Sequence, residues 1–141
     1  MADSLKVLQR IKKMELDDLR RVLMNELSKR EQVNKKLQEL VAEYEREKAF
    51  VAENPLICDF GVYTERFLKK KQVLEKNIAE LDIQIEALRE QIGDIFKEQK
   101  TYNIVAERRK KEGRKKADMV EQKLLDEVGT NAYIKQHKSE N

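Results

Sequence analysis

One proline, Pro55, separates two long stretches in which apolar residues return every three or four positions, and no other feature restricts the fold of this chain as strongly. In the first stretch the series is Leu16, Leu19, Leu23, Glu26, Arg30, Val33, Leu37, Leu40, Tyr44, Glu47 and Val51. Eight of these eleven residues are apolar or Tyr. Such a heptad series marks a helix packed along its length on another helix. Leu5, Leu8 and Ile11 extend it toward the start with some drift. Asp3 or Ser4 is placed to cap the helix by accepting a bond from an unpaired backbone N–H.

The series stops at Glu53-Asn54-Pro55. Proline lacks an N–H, and it pushes the preceding Asn54 out of the α region. Residues 54–61 carry little charge and read as the turn of a hairpin. A second, longer series then runs Phe67, Lys71, Leu74, Ile78, Leu81, Ile85, Leu88, Ile92, Ile95, Gln99, Tyr102 and Ala106. Gly93 lies inside it at a cost of ~1 kcal/mol against Ala. It marks either a bend or a close helix contact.

These patterns predict an all-α, long antiparallel two-helix coiled-coil hairpin, one domain over residues 1–141. The expected helices span about 4–53 and about 60–128, with a turn at about 54–60 and a disordered tail over 129–141. Paired positions should sum to about 114, so the C-terminal arm outruns its partner beyond about residue 109. Glu26 and Arg30 fall on the seam. They either set the register or yield to a slight roll that turns Leu27 inward, and the roll is the expected solution.

Composition agrees. Asp, Glu, Lys and Arg make up 40% of the 141 residues, against roughly 25% in ordinary domains. Four Gly and one Pro are too few for the turns of a β-sandwich. One Cys and one His exclude a zinc site or a disulfide framework. There is no G-x-x-x-x-G-K-[ST] loop for nucleotide phosphates. His137 reads as a solvated tail residue, and Cys58 as an idle thiol in the turn. The carboxylates Asp17, Asp18, Glu43, Glu45 and Glu47 read as helix-surface charges. Two paired helices enclose no pocket that excludes water. No catalytic residue, cofactor or metal is therefore expected. The start lacks the apolar stretch of a signal peptide, and no uncharged run is long enough to span a bilayer. A soluble, cytoplasmic protein is expected.

The net charge is +3, and the positive bias sits in the last quarter of the sequence. Residues 107–116 hold seven cations in ten positions, among them Arg108, Arg109, Lys110 and Lys111. Three readings stand: a solvated overhang, docking on an acidic protein surface, or binding to nucleic acid or an anionic membrane. No aromatics are interleaved for base stacking, so nucleic acid is not the expected partner. Apolar residues return as Met119, Val120, Leu124, Leu125 and Val128. That cluster is either a partner-binding surface or a weakly amphipathic end.

Four short motifs follow one another in the second half. They are Tyr63-Thr64-Glu65-Arg66-Phe67 with Leu74, Ile78 and Leu81; residues 96–102, from Phe96 to Tyr102; Val105-Ala106-Glu107-Arg108-Arg109; and residues 121–129 with Leu124, Leu125, Asp126 and Glu127. In this order and spacing the chain resembles the flagellar FliJ export-protein family. The resemblance implies a hairpin similar to the central stalk of rotary ATPases, working in the type III export apparatus. It implies insertion into the ring of the export ATPase FliI, linkage to the export gate FlhA, and contact with export chaperones. It implies peripheral placement at the inner membrane through the apparatus. A monomer or a weakly self-associating species is expected, since a spare apolar edge could pair with another copy. The gate-binding stripe carries over to Phe67, Lys71, Leu74 and Ile78. Lys71 departs from the apolar pattern, and all four also serve the hairpin seam. The ATPase-facing residues would be Arg108, Arg109, Lys110, Lys111, Met119, Val120, Leu124 and Val128. The alternatives are the stalk of a virulence-type secretion ATPase, a prefoldin-like coiled-coil chaperone, and a basic nucleic-acid-binding rod.

Overall fold

A computed structural model describes residues 2–56 and 59–139. It is an all-α helical hairpin of helix α1 (Ala2–Glu53) and the longer helix α2 (Phe60–Ser139). Asn54 ends α1. Its backbone N–H donates to the Phe50 carbonyl at 3.0 Å and its side-chain Nδ2 donates to the same oxygen at 3.1 Å. Carbonyls at a helix end lack partners within the helix, so a residue that folds back on them closes it. Pro55 then prevents continuation. Asp59 stands immediately before α2, where a side-chain oxygen suits the unpaired N–H groups of a first turn.

The ends of both helices depart from the sequence reading. The first helix begins at Ala2, so Asp3 and Ser4 lie within it rather than capping it. The second does not stop at residue 128 but continues to Ser139. Gly129 lowers helix propensity without breaking the hydrogen-bond ladder, and no proline follows it. His137 and Lys138 in the last turn complement the negative end of the helix dipole. Ile57, Cys58, Glu140 and Asn141 lie outside the described residues, and with them the reading of Cys58.

The chain divides into two compact units. One is Ile11–Lys97, and the other combines Met1–Arg10 with Glu98–Asn141. Within Ile11–Lys97 the two helices run antiparallel: Arg30 meets Asp82, and Tyr44 meets Phe67. These pairs sum to 112 and 111, close to the expected register. The buried hydrophobic side chains among the described residues, Leu16, Phe67 and Ile85, all belong to this unit. Their scarcity follows from geometry, because two helices share only one seam and every other face meets water. Gly93 is not a close contact, since a Cβ built there meets nothing within 4 Å.

The expected roll at Glu26 and Arg30 is incomplete. Leu27 is half-buried, but so are Glu26 and Arg30. Arg30 keeps a seam position by extending its head toward water, whereas Glu26, its side chain only 14% exposed, keeps one by drawing Lys29 onto its carboxylate. Glu26 pairs with Lys29 at 3.1 Å, and Arg30 Nε reaches Asp82 Oδ1 on α2 at 2.5 Å. Long side chains can lay their stems on apolar surface while the charge stays wet.

Candidate partner-binding surfaces

In the unit Ile11–Lys97, the turn end is held by four aromatic rings. Tyr44 of α1 stacks on Phe67 of α2 with ring centroids 4.0 Å apart and planes 8° from parallel. Phe60 and Tyr63 flank it, at 5.5 and 6.1 Å from Tyr44. The Tyr44 hydroxyl and the Thr64 hydroxyl share a hydrogen bond of 3.2 Å, so the polar tip of a part-buried ring is satisfied. Burial raises the Tyr63 phenol above its ordinary range, and the nearby Glu43 and Glu47 carboxylates push it further in the same direction. Both causes disfavour a phenolate. Across the helices, the hydrogen bond and charge of Asp82 raise Arg30 in its turn.

The residues of the expected gate-binding stripe take different positions here. Phe67 is buried, 8% exposed, beneath Tyr44. Ile78 and Leu74 are half-buried along the seam. Lys71, also half-buried, sends its Nζ to Glu75 at 3.8 Å, one turn along the same helix. Leu74 also lines a shallow open groove of about 520 Å³ together with Leu40 and Val73. Lys36, Lys69 and Lys70 border that groove on one side of the charge balance, with Glu39 and Glu43 on the other. Val73, at 59% exposure, is the most accessible apolar residue of this lining and carried no weight in the sequence reading. Its seam-flanking position, one residue before Leu74, was the available signal.

In the second unit, Gln9 Nε2 of α1 donates to Asn103 Oδ1 of α2 at 2.9 Å. Leu5 and Gln9 on one helix and Tyr102, Val105 and Ala106 on the other are half-buried. From residue 107 to 138 every residue is exposed. Arg108, Arg109, Lys110 and Lys111 therefore stand in water around the helix. So do Met119, Val120, Leu124 and Val128, whose exposures run from 56% to 71%. The structure gathers these eight residues on one bare helical stretch, but on more than one side of it. Tyr133 and His137, one turn apart, contact through their rings at 4.2 Å.

Among the described residues, no group of three or more His, Cys, Asp or Glu is placed to hold a metal ion. No helix among the described residues is long and apolar enough to cross a membrane. In comparison with known protein families, the model of a family described as the flagellar FliJ protein matches residues 1–138. No curated protein and no solved structure matches.

Proposed function

Since the chain belongs to the flagellar FliJ family, non-catalytic components of flagellar protein export, we propose that it is the stalk and adaptor that joins the export ATPase to the export gate. The observation that carries this reading is the bare stretch of α2, exposed over residues 107–138, with its cations and its apolar residues. A single helix is narrow enough to enter a ring pore, about 10–12 Å across with its side chains. Arg108, Arg109, Lys110 and Lys111 suit acidic groups lining such a pore, and Met119, Val120, Leu124 and Val128 suit apolar ones.

The gate is assigned to the surface that includes Phe67, Lys71, Leu74 and Ile78. Leu74, with Val73 and Leu40 in the open groove, makes the direct contact, and Phe67 holds the groove end rigid from beneath. Export chaperones are further partners. The protein acts in the cytoplasm and is held at the inner membrane only through the apparatus. ATP hydrolysis by the export ATPase of the same cell, measured against added chain, tests the reading. Stimulation should saturate near one chain per ring and vanish for a chain ending at residue 107. Val73→Glu, which leaves the seam intact, should spare that stimulation and weaken capture by the cytosolic part of the gate. An ATPase indifferent to the full chain overturns the stalk reading.

A further inference from the structure

The groove beside Leu74 continues toward the turn. Leu40, Glu43 and Lys70 also line a smaller hollow of about 150 Å³, whose other walls are Tyr63, Arg66 and Phe67. A cavity of about this size accepts one benzene-sized group. Its Phe67 wall is fixed by stacking on Tyr44. Away from the turn the lining becomes polar, as Gln32, Asn77, Glu80 and Gln84 enter the next hollow. The apolar track therefore follows α2 from Tyr63 to Leu74, roughly 18 Å at ~1.5 Å per residue.

The two edges of this track carry opposite charge. The α1 edge presents Glu39 and Glu43, and the α2 edge presents Arg66, Lys69 and Lys70. In the register of Tyr44 on Phe67, whose numbers sum to 111, Glu43 and Glu39 lie level with positions 68 and 72 of α2. Lys69 and Lys70 fall between those levels, so the two signs oppose each other across the track. Lys36 closes the α1 edge at the end away from the turn. Among the described residues, Glu39, Glu43, Lys69 and Lys70 form no ion pair within the chain.

We propose that this track takes an amphipathic helical segment of a partner protein, about three turns long, with a basic flank against α1 and an acidic flank against α2. The occupant is a helix because α1 and α2 bond their own backbone groups and offer no sheet edge to an extended segment. A third helix satisfies its own backbone and presses an apolar stripe into the groove. Apolar residues at i, i+4 and i+7 reach from the small hollow to Val73, the first of them seated between Tyr63 and Phe67. A segment with two basic flanks would set cations against Lys69 and Lys70, and one with two acidic flanks would set carboxylates against Glu39 and Glu43. The inference rests on the gate reading for the owner of the segment, and on the track itself for the segment's chemistry.

Three fluorescent peptides, titrated with the full chain and read by anisotropy, test this. Each has about 14 residues, is stapled because so short a helix is marginal in water, and carries the same apolar stripe. One has a basic and an acidic flank, one two basic flanks, and one two acidic flanks. The mixed peptide should bind about tenfold tighter than either other, the product of several exposed charge contacts. Lys69→Glu/Lys70→Glu, which makes both edges acidic, should move the preference to the peptide with two basic flanks. Val73→Glu should weaken all three more than about tenfold, because a charge would enter the apolar track. Far-ultraviolet circular dichroism of both variants should match the parent, since the substituted residues are exposed. Peptides that do not bind, that bind equally, or whose ranking survives Lys69→Glu/Lys70→Glu overturn the inference. Self-association of the chain that Val73→Glu abolishes overturns it too, because a second copy would then be the occupant. The cytosolic part of the gate should displace the mixed peptide. If it does not, the gate assignment falls, while the selectivity among the peptides still supports the chemistry inferred for the track.

Discussion

The stretch Ile11–Lys97 and the stretch of α2 beyond residue 107 share a composition rich in charge and the same helical conformation, yet they hold their helices differently. In the first, an opposing helix removes Leu16, Phe67 and Ile85 from water. In the second, Met119, Val120, Leu124 and Val128 gain nothing from the fold because nothing in the fold faces them. An apolar residue at heptad spacing therefore finds an opposing surface within the chain in one case only. The first stretch supplies stability, and the second supplies a surface.

Identical chemistry placed in the two stretches should break this contrast open. Phe67→Ala should cost about 3 kcal/mol, and Leu16→Ala about 2–3 kcal/mol, because each removes a buried side chain and leaves space behind. Leu124→Ala in dilute solution should stay within about 0.5 kcal/mol of the parent, as a surface substitution does. Urea unfolding followed by circular dichroism measures all three. A loss at Leu124 equal to that at Leu16 would mean that the bare stretch is packed on its own chain after all.

Gly93→Ala sharpens the description of the paired stretch. With nothing within 4 Å of the added carbon, the substitution should stabilise the hairpin by about 0.5–1 kcal/mol through helix propensity and unfolded-state entropy. A decrease in the urea midpoint would show that the two helices approach each other there more closely than described.

Smaller still is the Arg30–Asp82 bond. Asp82→Asn should lower the midpoint less than Gly93→Ala raises it, and molar salt should erase the difference, since both side chains remain partly solvated. The smallest effect concerns pH. The Tyr63 phenol is raised in the folded chain by burial first and by Glu43 and Glu47 after it. A group whose folded value is raised contributes fully below its unfolded value, and the contribution is lost as pH rises through the folded one. The hairpin should therefore weaken above about pH 10. Tyr63→Phe should flatten part of that slope in thermal melts at graded pH. An unchanged slope would place the phenol in water rather than in the aromatic cluster.

Much of the architecture was legible in the residues because heptad spacing and a single proline act locally. Leu16, Phe67 and Ile85 sit on the two series, and Pro55 ends the first of them. The end of α2 was less legible. Gly129 and a polar composition resemble a helix stop, but neither removes a hydrogen-bond donor as proline does, and the helix runs on to Ser139. Glu26 and Arg30 were misjudged for a related reason. Spacing gives the position of a Cα on the seam, whereas the partners that reach a charge, here Lys29 and Asp82, decide whether it can be kept there. The surfaces were legible as composition only. A run of cations is visible in any sequence, but the groove beside Leu74 exists because Leu40 of α1 arrives next to Val73 of α2.

By itself the sequence determined the helices, their antiparallel order, a register close to that of the observed pairs Arg30–Asp82 and Tyr44–Phe67, and the family, because these follow from periodicity, one proline and short motifs along a single chain. Only the tertiary structure decided which members of the series are covered. It set Phe67 beneath Tyr44, turned Lys71 toward Glu75, and left residues 107–138 in water. The physical reason is that burial belongs to a pair of surfaces. A heptad marks one of them, and the other is known only once the second helix is in place or found to be missing.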